Sequence, residues 1–520
     1  MKHRTEIRDY HAPTWNEPVI MEMGSEGRRG LIFRKTDQKI FDELGGAKDL
    51  LPKGMFREEK PSLPELSEHE VQRHYLHLSQ ETLGMMGISL FGTCTMKYNP
   101  RLNEIVAGRP EVAETHPHQH EETLQGTLNI IHNFDLILRE LSGMDNFVFQ
   151  AGGGAHAAYT HCCLARSYYA SKGDLEQRNE IITSIQAHPC NPATAASAGF
   201  NIITLPLGEN GYPTLDALKA AVSDRTAGLL INNPDDMGIY NPDIKEWVKI
   251  VHDAGGLCFY DHANFNGVMG KIRARDLGFD ACMYMLHKTF GVPKGGGGPA
   301  VGAYGCTSEL AEFLPSPVVI KSEKSFNLDY DRPNSIGRIR EFWGNVPQIV
   351  KAYSWARAMG ANGIKEAAEI SVLANNYMES RLLKIRGITK SHPNISGYRM
   401  EMTRYSLEKV TADTGITVED LSNRMVDFGI DAPWLAHHPW LVPQPFTPEA
   451  GECYSKEDID YWIDVVEEII SEAYENPEIV KSAPHRQPIG KINGALLEDP
   501  DHWAMTWRAY IRKKSLKKKN

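Results

Sequence analysis

Lys288 stands where an apolar run, Ala281-Cys282-Met283-Tyr284-Met285-Leu286, gives way to His287-Lys288-Thr289. Gly291-Val292-Pro293-Lys294 and a patch of glycines, Gly295 to Gly298, follow at once. A buried strand that carries an ammonium group to a loop is costly unless the amine is used, because an unpaired charge in an apolar site is strongly disfavoured. One use is covalent: condensation of the amine with an aldehyde cofactor as a Schiff base. A surface lysine closing a strand explains the same string, so other residues have to decide. Two stretches bear on it. Ala151-Gly152-Gly153-Gly154-Ala155-His156 joins a strand to a helix start. Its glycines let backbone approach a ligand, and the first turn offers free N–H groups to a phosphate. A structural glycine turn satisfies that string equally, and His156 either stacks on a ring or packs. Asp261-His262-Ala263-Asn264 follows another strand directly. A carboxylate there holds a pyridine nitrogen protonated, since opposite charges favour each other's charged forms; a loop aspartate is the plainer reading.

Taken together the order is phosphate turn, ring-pairing Asp261 and Schiff-base Lys288. That order and spacing match a pyridoxal 5'-phosphate (PLP) enzyme of the aspartate-aminotransferase fold, with ligand groups at the carboxyl ends of strands. His116-Pro117-His118-Gln119-His120 also invites a metal, but no spaced partner cluster accompanies it, and no metal is expected. Cys162-Cys163 reads as core, and Lys97 and Lys294 as phosphate or carboxylate contacts or solvated amines.

The elements that must position these groups alternate. Strands are expected at Asn146–Phe149, Glu180–Thr183, Asn201–Thr204, Ala227–Ile231, Leu257–Tyr260 and over the Ala281 run, with helices between them. Such alternation defines an α/β domain with a mostly parallel or mixed sheet. Before it, an amphipathic helix carries Leu124, Leu128, Ile131, Leu138 and Leu141 and stops at Gly143. After it, a second, smaller α/β domain has helices near 367–384, 417–428 and 456–475 and strands near 398–403 and 440–442. The expected division is an N-terminal extended arm and helix over 1–90, a large PLP-binding domain over 91–345, a small domain over 346–505 and a basic tail over 506–520. The tail is read as a solvated, disordered end.

At 520 residues and a net charge of -11 the chain is too long for one core and too acidic for a general nucleic-acid binder. No apolar stretch is long enough to span a bilayer, and Met1-Lys2-His3-Arg4-Thr5-Glu6 lacks the apolar core of a signal peptide. The eight cysteines are scattered without a CxxC pair, which fits a reducing cytoplasm.

Several long strings carry a family resemblance: Gly92-Thr93-Cys94-Thr95-Met96-Lys97-Tyr98-Asn99-Pro100, Glu121-Glu122-Thr123-Leu124-Gln125-Gly126, Leu286-His287-Lys288-Thr289-Phe290 with Gly295-Gly296-Gly297-Gly298-Pro299, and Leu328-Asp329-Tyr330-Asp331-Arg332-Pro333. From about Ser62 to past Pro484 the chain resembles the C-terminal half of the glycine cleavage system P-protein, the family of glycine dehydrogenase (decarboxylating) subunit 2. The resemblance implies a fold-type-I PLP enzyme of the oxidoreductase class. It releases the glycine carboxylate as carbon dioxide and passes the aminomethyl group to the lipoyl arm of an H-protein. It implies that Lys288 carries the cofactor and Asp261 pairs with its ring nitrogen. His156 stacks on the ring, with Gly154, Ala155, His188, Asn191, Ala263 and His287 around it. Thr95, Lys97, Cys190, His262 and Asn264 are the implied substrate neighbours. The implied partners are P-protein subunit 1 and lipoylated H-protein, in a dimer or α2β2 assembly. Where the family has His-Gly-Thr-Asn-Pro this chain has His188-Pro189-Cys190-Asn191-Pro192, and where it has Asp-Gly-Ala-Asn this chain has Asp261-His262-Ala263-Asn264. A paralogous PLP enzyme acting on a different amino acid or amine is the alternative, and a non-catalytic partner subunit is a third reading.

Overall fold

The computed structural model describes residues 6–8, 10–46, 48–83, 87–92, 97–293 and 300–517. Thr95, Lys294 and the Gly295–Gly298 patch lie outside the described residues. Two compact units divide the chain: 1–8 with 85–482, and 9–84 with 483–520.

The first unit is built on seven strands: β1 Asn146–Ala151, β2 Glu180–Ser184, β3 Asn201–Leu205, β4 Thr226–Asn232, β5 Leu257–His262, β6 Ala281–Met285 and β7 Gly302–Cys306. Their order in the sheet is β1-β7-β6-β5-β4-β2-β3. The pairs β2–β3, β2–β4, β4–β5 and β5–β6 are parallel, while β7 runs antiparallel to both β1 and β6. Six strands therefore point one way, and the segments that follow β1, β2, β4, β5 and β6 leave the sheet at the same edge. This bears out the α/β reading and makes the sheet a mixed one.

Alternation along each strand feeds two cores. Val148, Ile181, Leu230, Phe259 and Met283 join one, together with Ala157, Ala158 and Leu164 of the helix that follows β1. Phe147, Phe149, Ile182, Leu229, Cys258, Tyr260 and Tyr284 join the other, under helices that include α1 (Gln125–Ser142). Helix α1 closes on Gly143 in the left-handed conformation, the usual glycine stop. Helix α2 is Gly154–Lys172, α3 is Cys190–Ser197 and α4 is Ile244–Asp253. The long α5, Val346–Leu382, passes through a non-helical Gly360 (φ 62). It leads to a third core around Leu421, Trp462 and Val466. Lys456–Glu475, α6, supplies much of that core and starts on a Ser455/Asp458 capping box. The small-domain strands lie elsewhere than the sequence suggests, at Thr389–Lys390, Tyr405–Ser406 and Pro445–Phe446. At 399–400 the backbone is bonded outside any sheet: the Met400 N–H donates to the Gly238 carbonyl, the Arg399 N–H to Asn376 Oδ1, and the two carbonyls accept from Asn376 and Asn375 of α5.

His252 at the end of α4 is tied to the start of β6. Its Nε2 lies 2.8 Å from Asp280 Oδ2, which also accepts from the Cys258 N–H at 2.7 Å. The hydrogen bond to Asp280 raises the His252 pKa above its ordinary value. The stabilisation is therefore fully present below the unfolded-state pKa of about 6.5 and is lost as pH rises through the higher folded value. His252→Gln is expected to lower the urea midpoint at about pH 5.5 and to leave it unchanged at about pH 9.

The second unit holds helix Glu68–Gln80, which begins on a Ser67/Glu70 capping box. Glu17 meets His74 (2.7 Å) and His77, and Trp15 stacks on the His77 ring at 3.9 Å. The basic tail, expected to be disordered, contains the helix Trp507–Lys517, with Lys514 paired to Glu22. Among the described residues no helix is long and apolar enough to cross a membrane.

Candidate active site

Asp261 closes β5 and Lys288 follows β6, its neighbour in the sheet, so the two reach the same edge side by side. Both are buried, at 3% and 5% exposure. The Lys288 N–H donates to the Met285 carbonyl at 3.1 Å, which turns the chain tightly off the strand. Asp261 accepts from the Ala263 N–H at 2.9 Å and from Asn191 Nδ2 at 3.1 Å. Burial pushes the Asp261 carboxyl above its usual range, against the pull of His188 and Lys288. A cation at its free side would reverse that shift.

The glycine turn follows β1 at this edge. The first helical bond of α2 runs from Ala157 N to the Gly153 carbonyl, so the N–H groups of Gly154, Ala155 and His156 have no partner within the helix. Gly154 lies close against β6: a Cβ there would stand 2.7 Å from Met285 Sδ and 3.1 Å from Met283 Cε, the flexible ends of two methionines. The helix start thus rests on β6, just ahead of Lys288. His156 folds back over the turn, its Nδ1 accepting from the Gly152 N–H at 3.1 Å. Burial and the Arg340 charge lower its pKa, which keeps the ring neutral. His287 is held neutral too, its pKa pushed down to about 4 by burial and by Lys288.

Two buried polar atoms of this group lack a hydrogen-bond partner among the described residues: Asn191 Oδ1 and His287 Nδ1. Other buried atoms of the chain are unpartnered as well, and these two are set apart by their place beside Asp261 and Lys288, where a polar ligand would complete the pairing. With the narrow glycine cradle and the Asp261 carboxyl seeking a cation, the residues present fit a phosphorylated pyridine aldehyde.

The implied substrate neighbours divide. Cys190 begins α3 beside Asp261, and burial raises its thiol pKa, with Asp261 adding to the effect. The thiol stays protonated and is no nucleophile. Asn264 donates to Glu449 Oε2 at 2.9 Å. Lys97 is engaged inside the protein, by Glu452 Oε1 at 2.6 Å and Asn266 Oδ1 at 2.9 Å. His262 is turned to the face of the sheet opposite Asp261. It packs among Tyr260, Phe265 and Tyr284, with ring centroids 3.6, 4.8 and 5.8 Å away. Adjacent strand residues point to opposite faces, so that placement was readable from the spacing alone.

Sequence reasoning missed Arg404 and His437. Arg404 is 4% exposed, its Nε donates to Thr447 Oγ1 at 3.1 Å, and its Nη2 has no hydrogen-bond partner among the described residues. His437 lies against His188. An arginine at the end of the string Met400-Glu401-Met402-Thr403-Arg404-Tyr405 was the one available signal.

Residues 118–421 match the family model of class-V aminotransferases, and residues 367–486 match the model described as glycine dehydrogenase, C-terminal domain. A solved glycine decarboxylase (P-protein) of the glycine cleavage system, in inhibitor-bound form, superposes with a TM-score of 0.70 at 20% identity, covering 84% of this chain and 99% of that one. A NifS-like protein superposes with a TM-score of 0.57 at 17% identity, covering 74% and 100%. Fold and site together define a class-V aminotransferase fold protein of fold type I. Among curated proteins, the probable glycine dehydrogenase (decarboxylating) subunit 2 of Pyrococcus abyssi is 40% identical over 513 residues, 98% of this chain and 99% of that one. Those of Pyrococcus furiosus and Caldanaerobacter subterraneus are 41% and 39% identical over 97% and 92% of this chain and 98% and 96% of theirs. The chain belongs to the glycine dehydrogenase (decarboxylating) subunit 2 family.

Proposed function

We propose that this chain is the PLP-binding, glycine-decarboxylating subunit of a glycine cleavage system, with the cofactor held in the region 91–345. The observation that carries the reading is the pairing of Lys288 and Asp261 on adjacent strands, at the edge where α2 presents its N-terminus. When bound, PLP supplies an electron sink for the pair left behind as the carboxylate departs. Lys288 Nζ would be the attachment point for its aldehyde carbon. Asp261, oriented by Asn191, keeps the ring nitrogen protonated. The N–H groups of Gly154, Ala155 and His156 take the phosphate, helped by the helix dipole. The neutral His156 ring, folded over the glycine turn, would be the stacking partner of the pyridine.

Arg404 is the substrate's carboxylate anchor in this reading, because its unpaired Nη2 offers a charge-assisted bond in a buried setting. Arg404→Lys loses the planar fork and is expected to raise KM for glycine by about 10- to 100-fold, the equivalent of about 1.5–3 kcal/mol. Initial-rate kinetics at saturating lipoylated H-protein measures it.

The partners of the reading are P-protein subunit 1 and a lipoylated H-protein, in an α2β2 assembly. The arm supports it: Leu31, Ile32, Phe33 and Met55 are exposed by 71%, 93%, 78% and 74%, apolar surface of the kind a partner chain covers. The free thiols among the described residues suit a reducing cytoplasm. Glycine-dependent exchange of labelled bicarbonate into the glycine carboxylate, with subunit 1 and H-protein present, tests the function. Exchange is the expected result. No exchange, with another amino acid perturbing the bound cofactor's spectrum, would sink the glycine reading.

A further inference from the structure

Two imidazoles meet beside the site from distant parts of the chain. His188 follows β2, and His437 lies in the stretch that precedes the Pro445–Phe446 strand. Their ring centroids are 4.5 Å apart and their planes are near perpendicular, at 77°. His188 is set by its own turn: Nδ1 accepts from the Cys190 N–H at 3.1 Å. His437 is set from the other side, by the Trp434 ring at 5.0 Å and by the short antiparallel bridge between Trp434 and Thr447. In that bridge the Thr447 N–H donates to the Trp434 carbonyl at 2.6 Å, and Thr447 Oγ1 to the Leu435 carbonyl at 3.3 Å. Thr447 Oγ1 also accepts from Arg404 Nε. One threonine therefore holds Arg404 and the His437 segment as neighbours.

That adjacency has a chemical meaning. The carboxylate and the ammonium of glycine are separated by a single carbon. A guanidinium that takes the carboxylate leaves the amino end within reach of whatever group stands beside it. We propose that His437 is the base that removes the ammonium proton of the incoming amino acid; the inference rests on the glycine reading above. The N–H bond breaks, its electron pair stays on the glycine nitrogen, and the proton goes to the imidazole nitrogen. The freed pair would then be available to replace Lys288 Nζ on the cofactor's carbon: the new C–N bond forms as the C–Nζ bond breaks, and Lys288 leaves as the amine, taking one proton from the glycine nitrogen.

The charged and titratable groups that face His437 are His188, Asp236 from the segment after β4, Arg404 and Lys288. Burial and the three basic neighbours outweigh Asp236 and lower its pKa, so the ring is a free base at neutral pH. His437 is half-buried, so the proton it takes can pass on to solvent.

The test is the rate of the glycine-induced spectral change in the PLP-loaded assembly, followed by stopped flow across pH, for wild type, His437→Gln, His437→Phe and His437→Ala. The expected result is a fall of about 10²-fold or more at neutral pH, with the acid limb of the profile moved to the alkaline range in which glycine itself loses its ammonium proton. Added imidazole should restore His437→Ala. An acid limb that superimposes on wild type, or a uniform loss that imidazole does not rescue, overturns the proposal. So does loss of PLP from both the Gln and the Phe variants, which would make the residue structural. A wild type that answers another amino acid but not glycine refutes the glycine reading alone, and the same His437 comparison is then made with that amino acid.

Discussion

Lys288→Ala is expected to remove glycine-dependent bicarbonate exchange by at least about 10³-fold, about 4 kcal/mol of transition-state stabilisation. Borohydride, which fixes PLP covalently on the wild-type chain, should leave none attached to the variant, and peptide mapping of the wild type should find the label on Lys288. The fold should persist. The backbone bond from residue 288 to the Met285 carbonyl does not need the side chain, and β6 packs through Cys282, Met283 and Tyr284. The helix start and Asp261 also remain, so the variant should still take up PLP, more weakly, as the free aldehyde. Lys288→Arg should not restore the reaction, because a guanidinium stays protonated and cannot form the Schiff base. His287 should remain neutral in the variant, since burial is the larger cause of its low pKa and Lys288 the smaller. A wild-type label recovered on a lysine other than Lys288 would refute the site.

What the sequence disclosed about this site was local. Lys288, Asp261 and the glycine turn each sit within a few residues of a strand end, and the direction of six strands brings those ends to one edge. Strand alternation made both core faces legible, and the same rule, applied one residue further along β5, would have sent His262 to the aromatic core. What stayed hidden was delivered from far along the chain. Arg404 and His437 reach the site through Thr447, an arrangement that no local pattern announces. The small-domain strands were misplaced because their register follows from the pairing of Tyr405 with Phe446, whose rings stack at 5.1 Å, and not from hydropathy near 398 or 440. The tail was read from its charge alone, and its helix answers to Glu22, nearly five hundred residues earlier in the chain.

Lys97 meets a carboxylate of the protein itself, and a stability experiment separates a structural clamp from the substrate contact that the family resemblance implies. Its side chain is 1% exposed and that of Glu452 is 10%. The ammonium also lies 4.7 Å from the Trp355 ring centroid. Lys97→Met leaves the Glu452 carboxylate buried without its cation, beside Asn266 Nδ2 at 3.5 Å. Removing one partner of a buried pair is expected to cost about 3–5 kcal/mol, read as a lower urea midpoint. Lys97→Met with Glu452→Gln removes both charges together and should recover most of the loss, because the desolvation of two ions no longer has to be offset. The consequence for activity follows from where the pair sits. Asn266 lies on the loop that leaves β5 after His262 and also bonds to Ser371 of α5, so the pair clamps that loop to the C-terminal part of the unit. If the clamp is the whole role of Lys97, the double variant should keep KM for glycine within about threefold of wild type, with any remaining loss in kcat. A KM raised about tenfold or more in a double variant of normal stability would instead place Lys97 in contact with the substrate.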